Sequence, residues 1–168
     1  MATAKSIPLY YKLFFLYIEP LSTILGAFYA ILKPAVYLEL TDSASATPPF
    51  VPVGTQIVLT QLGNLYLLFA INEALVLRAT DDLKVWRTVL IGLLIADVGH
   101  LYSVSPHGLE IYWNAMKWNA IDWGNVAFVY CGAATRIAFL SGLGLGAPGG
   151  QARPRRPVTR SVARRRKG

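Results

Sequence analysis

Four stretches of mainly apolar residues, each about long enough to cross a bilayer as a helix, follow one another along the chain. They cover residues 13–32, 55–77, 88–104 and 122–143. The hydrocarbon core of a bilayer is about 30 Å thick, and a helix of about 20 residues spans it. The pattern predicts an all-α fold: an integral membrane four-helix bundle over residues 1–145, followed by a disordered basic C-terminal tail over residues 146–168.

The segments between these stretches carry residues that interrupt helices. Residues 34–54 contain four prolines and a Ser/Thr/Ala-rich run, which predicts a loop outside the lipid. The connection over residues 80–87 is short, so we expect the second and third helices to form an antiparallel hairpin. Pro20 lies inside the first stretch and predicts a kink, because proline removes one backbone donor.

The composition agrees with a bilayer environment. Hydrophobic residues make up 54% of the chain, charged residues 15%, and the mean hydropathy is +0.43. An ordinary soluble domain has about a quarter of its residues charged, so the composition is unusual for that class and favours the bilayer as solvent. The single cysteine also excludes an intramolecular disulfide.

The net charge of +7 arises from the C-terminal tail. Eight of the 16 lysines and arginines lie in residues 153–167, and the remaining charges sum to −1. A basic tail beside apolar helices is typical of contact with anionic lipid, and no recognition element for nucleic acid accompanies it. The expected partner is therefore the lipid bilayer, with anionic lipid at the tail and no nucleic acid.

The positive charges also predict an orientation. Thirteen lysines and arginines lie in the N-terminal segment, the second connection and the tail, against two on the other face. Cytoplasmic segments carry the excess of positive charge, so both termini are predicted to be cytoplasmic. Residues 164–167 resemble an arginine-based retrieval signal, which favours the endoplasmic reticulum.

Ionisable residues inside the predicted spans are the strongest indication of function, because each is costly in lipid unless it faces a partner or water. Six residues qualify: Glu19, Glu73, Asp97, His100, Asp122 and Arg136. Four amides accompany them: Gln61, Asn64, Asn72 and Asn125. Helical spacing places Asp122, Asn125 and Arg136 on one stripe, which we expect to face the other helices. Gln61, Asn64 and Asn72 form a second stripe that is expected to face inward in the same way.

Depth along the helices, at about 1.5 Å per residue, divides these residues into two polar layers. Glu19, Glu73 and Arg136 fall in the cytoplasmic half, where Arg136 is expected to pair with one or both glutamates. Two carboxylates on one arginine leave excess negative charge, which favours protonation of one of them. The other half holds Asp97, His100, Asp122 and Asn125.

Each layer has two interpretations. The first layer is either a buried polar clasp that fixes three helices in register or a site of acid–base chemistry. The second is either a histidine with a structural hydrogen bond or a cavity with Asp97, His100 and Asp122 as acid, base or ligand-orienting groups. One histidine and two carboxylates make a poor metal site, and neither a metal nor a cofactor is expected.

Trp113, Trp118 and Trp123 also allow two interpretations. An aromatic belt at the membrane interface explains them without any ligand. The alternative is a ligand site in which their ring faces stabilise a carbocation formed from a sterol or terpenoid.

Four segments together resemble a family of small fungal membrane proteins known only as a domain of unknown function. These segments are residues 10–20, 72–74, 87–100 and 121–125. The resemblance covers about residues 8–145. That family is in turn similar in fold to four-helix sterol-isomerase-like membrane proteins of the emopamil-binding type, which implies a polar cavity for a sterol or another lipid. It implies no catalytic residue, because fold-level similarity transfers none.

Two classes of function follow, and the sequence leaves open whether the protein is an enzyme. In the first, the protein binds a lipid-like small molecule or assists a membrane partner. The ligand-orienting residues would be Asn64, Asn72, Asn125, Arg136, Trp113, Trp118 and Trp123. In the second, it is a membrane-bound isomerase or cyclase that protonates an alkene of a sterol or terpenoid. Its catalytic candidates are Glu19, Glu73, Asp97, His100 and Asp122. A transporter has less support, because no internal repeat is evident.

Overall fold

The computed structural model describes residues 7–44, 46 and 50–145, so the predicted tail lies outside the described residues. Five helices make up the fold: α1 Leu9–Leu32, α2 Pro34–Thr41, α3 Val53–Val76, α4 Leu83–Ser103 and α5 over residues 120–140. No strand occurs in this part of the chain. The all-α prediction is therefore confirmed.

Three helical segments are long and apolar enough to cross a membrane. They are Leu9–Leu32, Val53–Val76 and Leu83–His107, which extends α4 by one turn. Helix α5 is of similar length but less apolar, because it carries Asp122, Asn125 and Arg136. The four predicted stretches thus correspond to α1, α3, α4 and α5, each of which begins a few residues before its stretch.

Helix α2 was not predicted, because residues 34–54 were expected to form a loop. Pro34 stands in the first turn of the helix, where its missing N–H would have no helical partner in any case. The Thr41 hydroxyl donates to the Tyr37 carbonyl at 2.7 Å in the last turn. The loop prediction is wrong for Pro34–Thr41.

Pro20 leaves the Leu16 carbonyl without its usual helical donor, since proline has no N–H. A π-helical turn, Phe14–Ile18, precedes the proline. Arg78, just after α3, donates from Nη2 to the Leu16 carbonyl at 3.4 Å. The Cζ atom of Arg78 also lies 4.7 Å from the centroid of the Tyr17 ring. The end of α3 is therefore attached to α1 where the proline interrupts the backbone hydrogen bonds.

The four long helices pack as two pairs, α1 with α3 and α4 with α5. The pairs meet at the end of the bundle that holds residues 7–12 and 140–145, called the terminal end below. Tyr11 donates to the Leu143 carbonyl there at 2.8 Å. Lys12 also forms an ion pair with Asp81 at 3.0 Å.

An aromatic core closes the terminal end. Tyr11, Phe15, Trp86 and Phe139 are all buried within it. The Tyr11 ring meets Phe139 edge-on, with centroids 5.0 Å apart, and Trp86 stacks on Phe139 at 5.6 Å. Because these rings come from α1, α4 and α5, they join the two helix pairs at this end.

The opposite end is covered by α2 and by the segment between α4 and α5. Asn119 Nδ2 donates to the Leu40 carbonyl of α2 at 2.7 Å. Lys117 Nζ lies 2.5 Å from Glu110 Oε2, and this hydrogen bond lowers the pKa of the exposed Glu110 carboxyl. The hydrogen bond between Asn119 and Leu40 therefore fixes α2 to the segment between α4 and α5.

Helices α1 and α3 approach each other closely at Gly63, and this contact generates a first prediction. A Cβ on residue 63 would lie 2.4 Å from Ile31 Cγ1 of α1. Gly63→Ala should therefore lower the stability by about 1–3 kcal/mol through overpacking, measured as the loss of helical circular dichroism on heating in detergent micelles.

Gly54→Ala is the matched control, because a Cβ on this glycine of α3 meets nothing within 4 Å. Ile31→Ala combined with Gly63→Ala should recover part of the lost stability. Equal melting of the Gly63→Ala and Gly54→Ala variants would contradict a close contact at this position.

Candidate functional site

Arg136 of α5 lies inside the bundle between three carboxylates, with only 2% of its surface exposed. Nη2 donates to Glu19 Oε1 of α1 and, at 3.2 Å, to Glu73 Oε1 of α3. Nη1 donates to Asp97 Oδ2 of α4 at 2.7 Å. This ion cluster of Glu19, Glu73, Asp97 and Arg136 therefore joins all four long helices.

The cluster contains the predicted pairs of Arg136 with Glu19 and Glu73, but the separation into two polar layers is wrong for Asp97. Side chains on a helix tilt toward its N-terminus. Because α4 and α5 run in opposite directions, Asp97 and the long Arg136 side chain lean toward each other. The depths predicted from the sequence count residues along each helix and omit the tilt of the side chains. They therefore placed Asp97 and Arg136 in different layers.

Gly132, one turn before Arg136, leaves room for the guanidinium. A Cβ on residue 132 would lie 2.7 Å from Arg136 Nη1 and 3.2 Å from Glu19 Oε1. Both of those side chains are buried and fixed by their ion pair. A larger residue at this position would therefore displace the cluster.

Three π-helical turns lie beside polar residues of the interior. Phe14–Ile18 ends immediately before Glu19, Asn72–Val76 contains Glu73, and Trp123–Phe128 contains Asn125. A π-helical turn inserts one extra residue into an α-helix and is common at functional sites. All three coincide with the region around the ion cluster, so the local backbone is shaped around these side chains.

A cavity of about 350 Å³ adjoins the ion cluster on the side away from the terminal end. Glu19 and Asp97 form part of its wall, whereas Glu73 and Arg136 do not. Most of the remaining wall is apolar or aromatic. The cavity therefore has carboxylates at its closed end and a lipophilic interior.

Three tyrosines that the sequence analysis did not select contribute to this wall: Tyr29, Tyr37 and Tyr66. The hydroxyl oxygens of Tyr37 and Tyr66 lie 3.2 Å apart. A signal for one of them was present in α1, because Glu19, Ser22 and Tyr29 share a helical stripe. No sequence signal marked Tyr37, which lies on the unpredicted helix α2.

His100 and Asn125 lie beside each other in the cavity wall. His100 Nε2 is buried and has no hydrogen-bond partner within the described part of the chain. Buried polar groups are normally hydrogen-bonded, so this nitrogen can receive a polar group of a bound molecule. Glu19 Oε2 and Glu73 Oε2 also lack a donor in the described part of the chain, and the two carboxyl groups lie within hydrogen-bonding reach of each other. Among the described residues, no group of three or more His, Cys, Asp and Glu side chains is arranged to hold a metal ion.

Asp122 caps a helix and does not belong to the cavity wall. Its carboxylate accepts from the Asn119 backbone N–H at 3.0 Å, and Asn119 Oδ1 accepts from the Asp122 N–H at 3.0 Å. This reciprocal capping box begins α5. The placement of Asp122 with Asp97 and His100 is therefore corrected.

The three tryptophans also lie outside the cavity wall, so the structure does not bring them together with Glu19 and Asp97, and their predicted role in a ligand site stays a prediction. Trp113 is 68% exposed. Trp118 donates from Nε1 to the Ile111 carbonyl at 2.9 Å, and its ring meets Trp123 edge-on with centroids 5.2 Å apart. They lie at the covered end of the bundle, and the aromatic belt stays a prediction.

Three of the four amides, Gln61, Asn64 and Asn72, are likewise absent from the wall. Asn64 is exposed on α3 and Asn72 is half-buried in a π-helical turn, whereas the adjacent Glu73 is fully buried. A regular helical period placed Asn64 and Asn72 on the inward stripe. The expectation fails for Asn72 because the π-helical turn shifts the helical register, so that Glu73 points inward in its place.

The sequence matches the family described as Domain of unknown function (DUF7704) over residues 4–146. The chain belongs to this family. The match includes all five helices of the DUF7704 protein, and it confirms the resemblance to a family of unknown function. Comparisons with curated proteins and with solved structures give no match. The fungal origin and the similarity to emopamil-binding proteins stay predictions.

Removal of the arginine tests whether the ion cluster holds the DUF7704 fold together. Arg136→Gln would leave the buried Glu19 and Glu73 and the half-buried Asp97 without their cation, so we expect a loss of about 3–5 kcal/mol in stability. Thermal unfolding in micelles, followed by circular dichroism, measures the change.

Lys117→Gln is the control, because it removes one partner of an exposed ion pair and should leave the melting temperature almost unchanged. A melting temperature of Arg136→Gln close to that of the wild type would show that the cluster does not hold the helices.

Proposed function

We propose that this DUF7704 protein is a multi-pass membrane protein that binds a lipid-like small molecule between its two helix pairs. The observation that carries the proposal is the cavity of about 350 Å³, which combines an apolar wall with carboxylates at its closed end. Small-molecule sites are typically apolar clefts of about 300–1,000 Å³ with a few polar groups that orient the ligand.

The position of the cavity opening supports access from the lipid. Leu25 of α1 and Gly124 of α5 belong both to the cavity wall and to the exposed surface. The opening therefore lies on the side of the bundle, between two helices, while α2 covers the end. A lipophilic molecule can reach such an opening by lateral diffusion without passing through water.

All four long helices cross the membrane in this proposal. Helix α5 is included because the ion cluster gives its arginine three partners, and an ionisable side chain within a span requires such partners. Positively charged residues outside the tail support the orientation. Lys12, Arg78, Lys84 and Arg87 lie at or near the terminal end, which supports a cytoplasmic location for that end. The endoplasmic reticulum remains the expected organelle.

A bulky residue at the opening tests the binding proposal. A Cβ on residue 124 meets nothing within 4 Å, so the phenyl ring of Gly124→Phe can occupy the opening without a clash in the backbone. We expect this variant to fold and to lose the molecule that copurifies with the wild type, as measured by mass spectrometry of lipid extracts.

Gly92→Phe is the matched control. Gly92 is an exposed helical glycine of α4 that also has nothing within 4 Å of a Cβ, and it lies outside the cavity wall. Identical lipid extracts from both variants and the wild type would contradict the proposal and favour a protein that assists a membrane partner.

A membrane-bound isomerase or cyclase is the second candidate. The observation in its favour is that Glu19 and Asp97 share one cavity with Tyr29 and Tyr66. Protonation of an alkene requires a positioned acid, and aromatic rings stabilise the resulting cation. A sterol or terpenoid alkene would be the substrate class.

Turnover by isolated membranes separates the two candidates. If the protein is such an enzyme, Asp97→Asn should retain the copurifying molecule and lose conversion of sterol or terpene alkenes by at least about 100-fold, the contribution of a general acid. Product analysis by gas chromatography measures this loss. Conversion that continues in both Asp97→Asn and Glu19→Gln would exclude the acid-initiated mechanism at this site.

A further inference from the structure

Helix α3 exposes two amides on the face that it turns away from α1. Gln61 and Asn64 are both exposed, and neither side chain forms a hydrogen bond within the described part of the chain. Asn64 lies at the middle of the apolar segment Val53–Val76, so about 17 Å of helix separate it from either end at about 1.5 Å per residue. In a membrane span this amide lies at the depth of the hydrocarbon core, beyond the water at the interface.

The two amides belong to a continuous exposed stripe, called the amide stripe below. Its residues follow one another at steps of four and three along the regular α-helical part of α3 and are all exposed: Ile57, Gln61, Asn64, Leu68 and Ile71. Side chains at these steps share one side of a helix, and two helices can pack along such a seam. The amides thus lie within a face that is suited to a second helix.

The outward faces of the other long helices differ from the amide stripe. Among the described residues of the long helices, exposed amides occur on α3 only. The exposed side chains near the middle of α1 and α4 include Leu21, Ile24, Ile91 and Ile95, for which lipid tails are a sufficient environment. The amide stripe is therefore the outward face that lipid alone does not satisfy.

A carboxamide without a hydrogen-bond partner is costly in hydrocarbon. Amide side chains within membrane spans hydrogen-bond across helix interfaces and promote the association of helices. The ligand cavity does not supply such a partner, because neither Gln61 nor Asn64 lines its wall. The partner has to come from another polypeptide on the outer side of α3.

We propose that the amide stripe is the interface of a homodimer, in which α3 of one copy packs along α3 of a second copy. A carboxamide both donates and accepts hydrogen bonds, so a face that carries one is complementary to its own copy. Two copies in one membrane share an orientation, and a two-fold axis along the membrane normal brings the same patch of both copies together. Asn64 then meets the second copy's Asn64 at the same depth.

A second copy satisfies this requirement by symmetry, whereas a different membrane protein would have to carry an amide at this one depth. A single asparagine in an apolar helix seam also fixes the register of the two helices. The inference requires that α3 crosses the membrane, and it is separate from the proposed ligand binding.

Energy transfer between copies of the full-length protein measures the association. One sample carries a donor dye at its N-terminus, a second sample carries an acceptor dye, and the two are mixed in phosphatidylcholine vesicles. Dilution with lipid gives the dissociation constant of the wild type and of each variant. We expect the wild type to associate, and Gln61→Leu combined with Asn64→Leu to weaken the association by about tenfold, a few-fold from each amide.

Gln56→Leu is the matched control. It removes an exposed amide of α3 that lies outside the amide stripe and near the start of the helix, so the dissociation constant should stay unchanged. All three substitutions are at exposed positions, and their melting temperatures in micelles should match that of the wild type.

Disulfide crosslinking locates the contact while both amides are kept. Leu68→Cys places a thiol about one turn from Asn64 on the amide stripe, and Cys131→Ser removes the native free cysteine. Oxidation of isolated membranes with copper phenanthroline should then crosslink two copies. Ile95→Cys in the same background is the control, because Ile95 is exposed on the outward face of α4 and should give little crosslinking.

The outcomes decide the inference. Wild-type protein that stays monomeric at every lipid ratio overturns the homodimer and assigns the amide stripe to a different membrane protein. Association that is unchanged in the double leucine variant, or equal crosslinking of Leu68→Cys and Ile95→Cys, overturns the assigned interface. The proposed ligand binding is unaffected by either result, because the amide stripe lies outside the cavity wall.

Discussion

The burial of one guanidinium among apolar helices is the constraint on which the rest of this structure depends. An isolated charge in such a place is costly, and only close partners offset the cost. Arg136 obtains them from α1, α3 and α4. The position of each long helix is therefore tied to one side chain. Gly132 leaves the space that the Arg136 side chain requires. The π-helical turns lie beside the polar residues of the interior, including Glu19 and Glu73.

The cluster also divides the bundle into two functional parts. Toward the terminal end, the rings of Phe15, Trp86 and Phe139 fill the space between the helix pairs. On the other side the pairs enclose a cavity. The ion cluster and the cavity thus meet at Glu19, which accepts from Arg136 and also forms part of the cavity wall.

Hydrophobic periodicity and length were sufficient to predict an all-α chain and the approximate place of its long helices, because each long helix needs an apolar face. The partners of Arg136 on α1 and α3 were also predictable, since ionisable groups in apolar helices must find one another. Asp97 was not assigned to them, because the tilt and length of side chains change which residues meet.

Other features of the fold were not predicted from the sequence, because they arise from local geometry that departs from a regular helical period. Helix α2 begins at Pro34, and proline-rich composition alone indicated a loop. Asn64 was placed inward because polar residues were expected to face other helices, whereas its regular helical stripe with Gln61 and Leu68 is exposed. Three π-helical turns also alter the register of the interior. Tyr37 reaches the cavity from α2, so no argument based on the long helices alone could have selected it.

The location of Arg136 within α5 determines how deep the cavity can be, in this chain and in homologous chains. The helix pairs are packed together up to the cluster and enclose space only beyond it, so the cluster sets the depth of the cavity. A shift of this arginine and its partners by one helical turn would move that boundary by about 5.4 Å. The depth of the cavity is thus set by the sequence position of a single basic residue.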